Sequence, residues 1–145
     1  MEEKINAEII IEVIGKPPEH LVETLNDLIK KLSEEKGIKI KSKKINDPVL
    51  LKDQKDFFSS FAEIEIESAG MLELIAILFK YMPAHVDIIS PENIKMSNHD
   101  WMEIMNEILR KLHGYDEIAR IVQNEKMIME KHLKKLIEEK NKKKD

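Results

Sequence analysis

The chain has 145 residues, enough for one ordinary domain with an appendage, and its 28 acidic and 24 basic residues leave a net charge of -4. It has no cysteine, which excludes disulfides, thiolate metal sites and cysteine nucleophiles and fits a reducing compartment. No apolar run approaches the ~20 residues of a membrane span, and the start Met1-Glu2-Glu3 is not a basic and then apolar leader, so a soluble cytoplasmic protein is expected.

Charged residues make up 36% of the chain, Lys and Glu dominate and Gln is rare, a balance that leans towards a thermophilic source. The charge is uneven. Residues 1–95 carry 13 basic and 18 acidic residues, residues 96–145 carry 11 and 10, and the last twenty carry 8 and 4. An acidic body with a basic tail differs from a dedicated nucleic-acid binder, whose domain is basic over one whole face.

Residues 5–14 alternate imperfectly, with Ala7, Ile9, Ile11 and Val13 on one side and Glu8, Ile10, Glu12 and Ile14 on the other. That pattern predicts a strand buried fully on one face and partly on the second. Gly15, Pro17 and Pro18 then open a helix with Glu19 in its first turn, and Leu21, Leu25, Leu28, Ile29 and Leu32 recur at helical spacing up to a stop at Gly37. Residues 38–45 alternate strictly, predicting a strand with Ile38, Ile40 and Ser42 inward and Lys39, Lys41 and Lys43 outward. Asn46, Asp47 and Pro48 begin a loop to Asp56, with a short helical turn expected at Val49–Lys52. Residues 57–67 resume the period of two, with Ala62, Ile64 and Ile66 inward and Phe61, Glu63, Glu65 and Glu67 outward. A helix from Gly70 to Tyr81 is apolar almost all round, so both its faces are expected to be covered, and residues 84–90 form a last strand with Val86 and Ile88 inward.

Strand, helix, strand, strand, helix, strand over residues 1–92 resembles the ferredoxin-like βαββαβ sandwich, an α+β fold with an antiparallel sheet in order 4-1-3-2 and both helices on one face. Many unrelated functions use this fold, so no residue role carries over from it. After Pro91 the pattern is helical only. Ser97 with Asp100 suits a helix start, and Trp101, Ile104, Met105, Ile108 and Leu112 make an apolar face that reaches Gly114. From Asp116 a second helix carries Ile118, Val122, Met129, Leu133 and Leu136, widened by Ile121, Ile128 and Ile137. These residues predict a C-terminal helical hairpin over 97–140 and a basic tail over 141–145. Trp101, Met105, Ile108, Ile118, Val122, Met129, Leu133 and Leu136 are the candidate core or oligomer interface, softened by the hairpin's methionines.

The sheet face away from the helices is expected to show His85, Asp87 and Ile89, then Glu8, Ile10 and Glu12, then Phe61, Glu63, Glu65 and Glu67, and last Lys39, Lys41 and Lys43. Its ordinary role is a solvated surface, with Lys39, Lys41 and Lys43 laddered against glutamates. On the central strands, however, carboxylate faces carboxylate, which calls for a positive cover from the hairpin or a partner chain. RNA-recognition modules of the same fold bind bases here through aromatic residues with basic neighbours. Glutamates repel such a polyanion, so any nucleic-acid contact is expected from the basic tail instead.

A second candidate is the turn Gly15, Lys16 and His20, expected to gather with His85 at one end of the sheet as an anion or small-ligand pocket. Ordinary loop chemistry is the competing account. His99, His113 and His132 are expected on helix surfaces. No zinc or calcium spacing occurs, so no metal and no cofactor is expected. An enzyme is the least supported class, because the glutamates sit on a flat face rather than in a pocket. Three functions follow: an assembly or regulatory module, a homodimer or hetero-complex subunit built through the hairpin or the sheet face; an anion or small-molecule sensor at the 15–20 turn and His85; and RNA or ribosome association through the tail and the Lys39–Lys44 strand.

Overall fold

A computed structural model describes residues 3–145, and the protein is α+β, with five antiparallel strands and three helices among the described residues. In chain order these are β1 (Ile5–Gly15), α1 (Pro18–Ser33), β2 (Ile38–Ile45), β3 (Val49–Leu50), β4 (Phe58–Ser68), α2 (Met71–Tyr81), β5 (His85–Ser90) and α3 (Asn98–Lys142). The sheet runs β2-β4-β1-β5, and the two-residue β3 pairs with β4 beyond the end of β2. The chain divides into two units, Met1–Ile104 and Met105–Asp145, and the boundary falls inside α3.

In the first unit β1 is the centre of the sheet, antiparallel to β4 on one side and to β5 on the other. Its period of two sends Ile5, Ala7, Ile9 and Ile11 into the core, where they meet Ala62, Ile64 and Ile66 of β4, Leu25, Ile29 and Leu32 of α1, and Leu74 and Ile77 of α2. Pro17 stands at the start of α1 in extended conformation and Pro18 is its first residue, where a missing N–H costs nothing; the Lys16–Pro17 and Ser90–Pro91 peptides are cis. Gly37 takes φ 77, a left-handed conformation closed to most side chains, and its carbonyl accepts Ala69 N at 2.8 Å.

Four expectations need correction. The Val49–Lys52 stretch is not helical, because Val49 and Leu50 pair with Ser59 and Phe58 as β3. β2 does not alternate strictly: a bulge between Ile40 and Ser42 sets Ser42 opposite Glu65 and Lys44 opposite Glu63, so Ser42 turns outward and Lys43, opposite Ile64, turns to the helix side. Val86 and Ile88 lie opposite Ile9 and Ala7, on the helix side, but stay 39% and 41% exposed because β5 is the edge strand. α2 buries Leu74 and Ile77, while Leu72 and Ile75 are only half-buried.

The fifth difference is the largest. In place of a hairpin broken near Gly114, α3 is one continuous helix of 45 residues. A glycine inside a helix costs about 1 kcal/mol relative to alanine, too little to stop it without a proline or a change in the apolar phase. Leu112 and Tyr115 keep that phase across Gly114, as the next section details. The start is as expected: Ser97 Oγ accepts the Asp100 N–H at 3.1 Å, and the Asp100 carboxylate accepts Ser97 N at 3.2 Å and Ser97 Oγ at 2.6 Å. These bonds hold the Asp100 carboxyl below its ordinary range.

Candidate functional site

The register of the sheet fixes what its open face displays. Glu8 lies opposite Glu65 on one side and Asp87 on the other, so three carboxylates form a row across β5, β1 and β4, with Ser42 Oγ 3.5 Å from Glu65 at its end. The next row is His85, Ile10, Glu63 and Lys44, and the one after it pairs Glu12 with Phe61. Ser59 Oγ donates to Glu12 at 3.1 Å, and Asn46 Nδ2 reaches Glu63 at 3.4 Å. At the other end Glu67 accepts Lys4 Nζ at 2.9 Å and lies 3.7 Å from Lys41, and the lysine hydrogen bond holds its carboxyl below the ordinary range. Glu8, Ile10, Glu12, Phe61, Glu63 and Glu65 thus share one surface as expected, with the lysine ladder confined to its β2 border. No group of three or more acidic or histidine side chains among the described residues could hold a metal ion.

The turn candidate is dispersed. Ala84 N donates to Ile10 O at 2.7 Å and His85 lies opposite Ile10, which leaves the start of β5 about 17 Å along β1 from Gly15 at about 3.4 Å per residue. Lys16 Nζ stands 5.1 Å from the centre of the Phe57 ring, and His20 Nδ1 is 3.9 Å from Glu23. His85 lies on the open sheet face, as expected, but not beside the 15–20 turn, where Lys16 and His20 meet separate partners.

Two features of the first unit were not foreseen. A cavity of about 60 Å³ is lined by Ile5, Gly70, Met71, Ile94 and Ile104, with Lys95 and Glu103 at its polar side. Between the helices, Glu35 binds Lys80 Nζ and accepts Tyr81 Oη at 2.7 Å. The lysine and then the tyrosine hold the Glu35 carboxyl below its ordinary range, while burial first and Glu35 second push the Tyr81 phenol well above its own. The partners lie 45 and 46 residues from Glu35, and no local pattern marks such a pair.

The second unit carries exposed apolar side chains along its helix. Along α3, Met105, Leu112, Ala119, Lys126 and Leu133 recur every seventh residue, and Ile108, Tyr115, Val122, Met129 and Leu136 do the same three residues on. This seven-residue spacing is the one by which helices in general pack lengthwise on one another. Met105 is 53% exposed, Met129 68%, Leu133 58% and Leu136 62%, although all four are apolar. Trp101, Ile118 and Val122 are exposed as well, and Ile108 is half-buried. Asp116 with Arg120 at 3.0 Å and Lys126 with Glu130 at 4.0 Å pair across single turns of the helix. The heptad was available in the sequence, but a reading that stops at Gly114 divides it into two unrelated faces.

These features define an α+β protein with an acidic sheet face and a long C-terminal helix whose apolar stripe is exposed. The chain belongs to the MJ0538 family, whose pattern it matches over residues 6–140. No curated protein and no solved structure matches it. Among the described residues, no helix is long and apolar enough to cross a membrane.

Proposed function

We propose that this protein is a non-enzymatic cytoplasmic assembly module that self-associates through α3 and offers its acidic sheet face to a basic protein partner. The carrying observation is the stripe from Met105 to Leu136, apolar at every heptad position but Lys126 and exposed along most of its length. Covering apolar surface yields roughly 25 cal/mol per Å², and a soluble monomer rarely leaves so long a stripe in water. The carboxylate row Asp87, Glu8 and Glu65 supports a partner of opposite charge for the sheet. The sensor and RNA functions rest on smaller features, the 15–20 turn for one and the basic tail with the Lys39–Lys44 strand for the other.

The first unit fits a ferredoxin-like fold. Its support is that, with β3 set aside, the strands adjoin in the order fourth, first, third, second.

Light scattering and sedimentation of the full chain test the proposal. A dimer is expected, and Leu133→Glu, which sets a charge in the stripe, is expected to turn it into a monomer with unchanged helicity. A wild-type chain that stays monomeric at every concentration overturns it.

A further inference from the structure

We infer that α3 pairs with α3 of a second copy of this chain in antiparallel order, centred between Arg120 and Ile121. The inference rests on self-association through α3 and adds the partner, the direction and the register.

The charge of α3 is divided along its length. Residues 98–119 carry five acidic and two basic side chains, and residues 120–142 carry four acidic and seven basic. An antiparallel pair lays the acidic half of one helix on the basic half of the other, at both ends at once. A parallel pair lays basic on basic and acidic on acidic. The helix dipoles oppose one another in the first arrangement and add in the second.

Lys126 is the one charged side chain within the heptad stripe between Met105 and Leu136. In a parallel pair at equal register it meets Lys126 of the other copy inside the seam, and Glu125 faces Glu130 across the flank. Antiparallel packing instead brings the two heptad series against each other. With the centre between Arg120 and Ile121, Met105 packs on Leu136, Leu112 on Met129, and Lys126 on Tyr115. Tyr115 is 45% exposed, and its ring covers the lysine stem while its face attracts the ammonium. Shifting the centre by one heptad step in either direction sets Lys126 against Ile108 or Val122 and shortens the overlap. The chosen centre is also the middle of the helix, Asn98–Lys142, so the whole length is used.

The absence of cysteine makes the test clean. Full-length Met105→Cys/Leu136→Cys is expected to form disulfide dimers on mild oxidation, with peptide mapping joining position 105 to position 136. Each single variant is expected to stay uncross-linked, because in antiparallel order the two copies of position 105 lie about 46 Å apart at 1.5 Å per residue. Leu112→Cys/Met129→Cys serves as a second pair if the first loses helicity. Raising salt is expected to weaken the dimer by screening the opposed halves. A dimer whose single variants cross-link to themselves overturns the antiparallel order and leaves self-association standing. A dimer that cross-links at neither pair overturns the pairing of α3, and a monomer overturns the proposed function with it.

Discussion

Glu35 joins the two core helices, since it follows α1 and binds Lys80 and Tyr81 in the last turn of α2. Its folded carboxyl titrates below the ordinary 4.5, so it contributes stability that is present above 4.5 and lost as pH falls through the lowered value. Glu35→Gln is therefore expected to be less stable than the wild type at pH 7, with the difference closing in acid, as urea unfolding at several pH values would show. An equal difference at every pH would remove the ionic account. Ile9 is fully buried at the centre of the sheet, and Ile9→Ala is expected to cost about 2–5 kcal/mol by the same measurement. The sequence made Ile9 legible through alternation alone. Glu35 was hidden in the run Glu34, Glu35 and Lys36, because its partners come from a distant helix.

At the scale of elements, alternation and helix-start chemistry located β1, α1, β4, α2 and β5 well, since each carries its own period and punctuation. The bulge in β2 left no mark, because Ser42 and the lysines around it tolerate either face. The sheet-face residues, His85 among them, were legible for the same reason as the strands, whereas the distance of His85 from the 15–20 turn depended on where β5 begins along β1, which no local pattern encodes. The row Asp87, Glu8 and Glu65 sets like charges side by side, so Glu8→Gln is expected to raise stability by a few tenths of a kcal/mol in low salt. That gain should fade as salt is added, and a salt-independent gain would mean that the row is not strained by charge. In α3 a Cβ at Gly114 meets nothing within 4 Å. Gly114→Ala is expected to stabilise the helix by about 0.5–1 kcal/mol, seen as a higher melting temperature by circular dichroism; a lower one would mark a needed bend.

For the molecule as a whole, self-association ties stability to concentration. If α3 is covered by a second copy, the melting temperature of the full chain is expected to rise with protein concentration, and that dependence should vanish in Leu133→Glu. The net charge of -4 is spread so unevenly that it says little about partners. What a partner meets is the sign of each surface, acidic over the sheet and basic over the last turns of α3.

The two borders of the sheet are built differently. β2 ends it with Lys39, Lys41, Lys43 and Lys44 and a bulge, and β5 ends it with exposed Val86, Ile88 and Ile89 on a short strand. Lysines and bulges keep a stray strand from adding to a sheet. One border is therefore sealed against further growth by its run of lysines, and the other is held back by its shortness, a bulge at Ile89 and the single charge of Asp87. Fibril or aggregate formation on mild heating should start from β5, and Ile88→Lys should suppress it where an added charge on β2 would not.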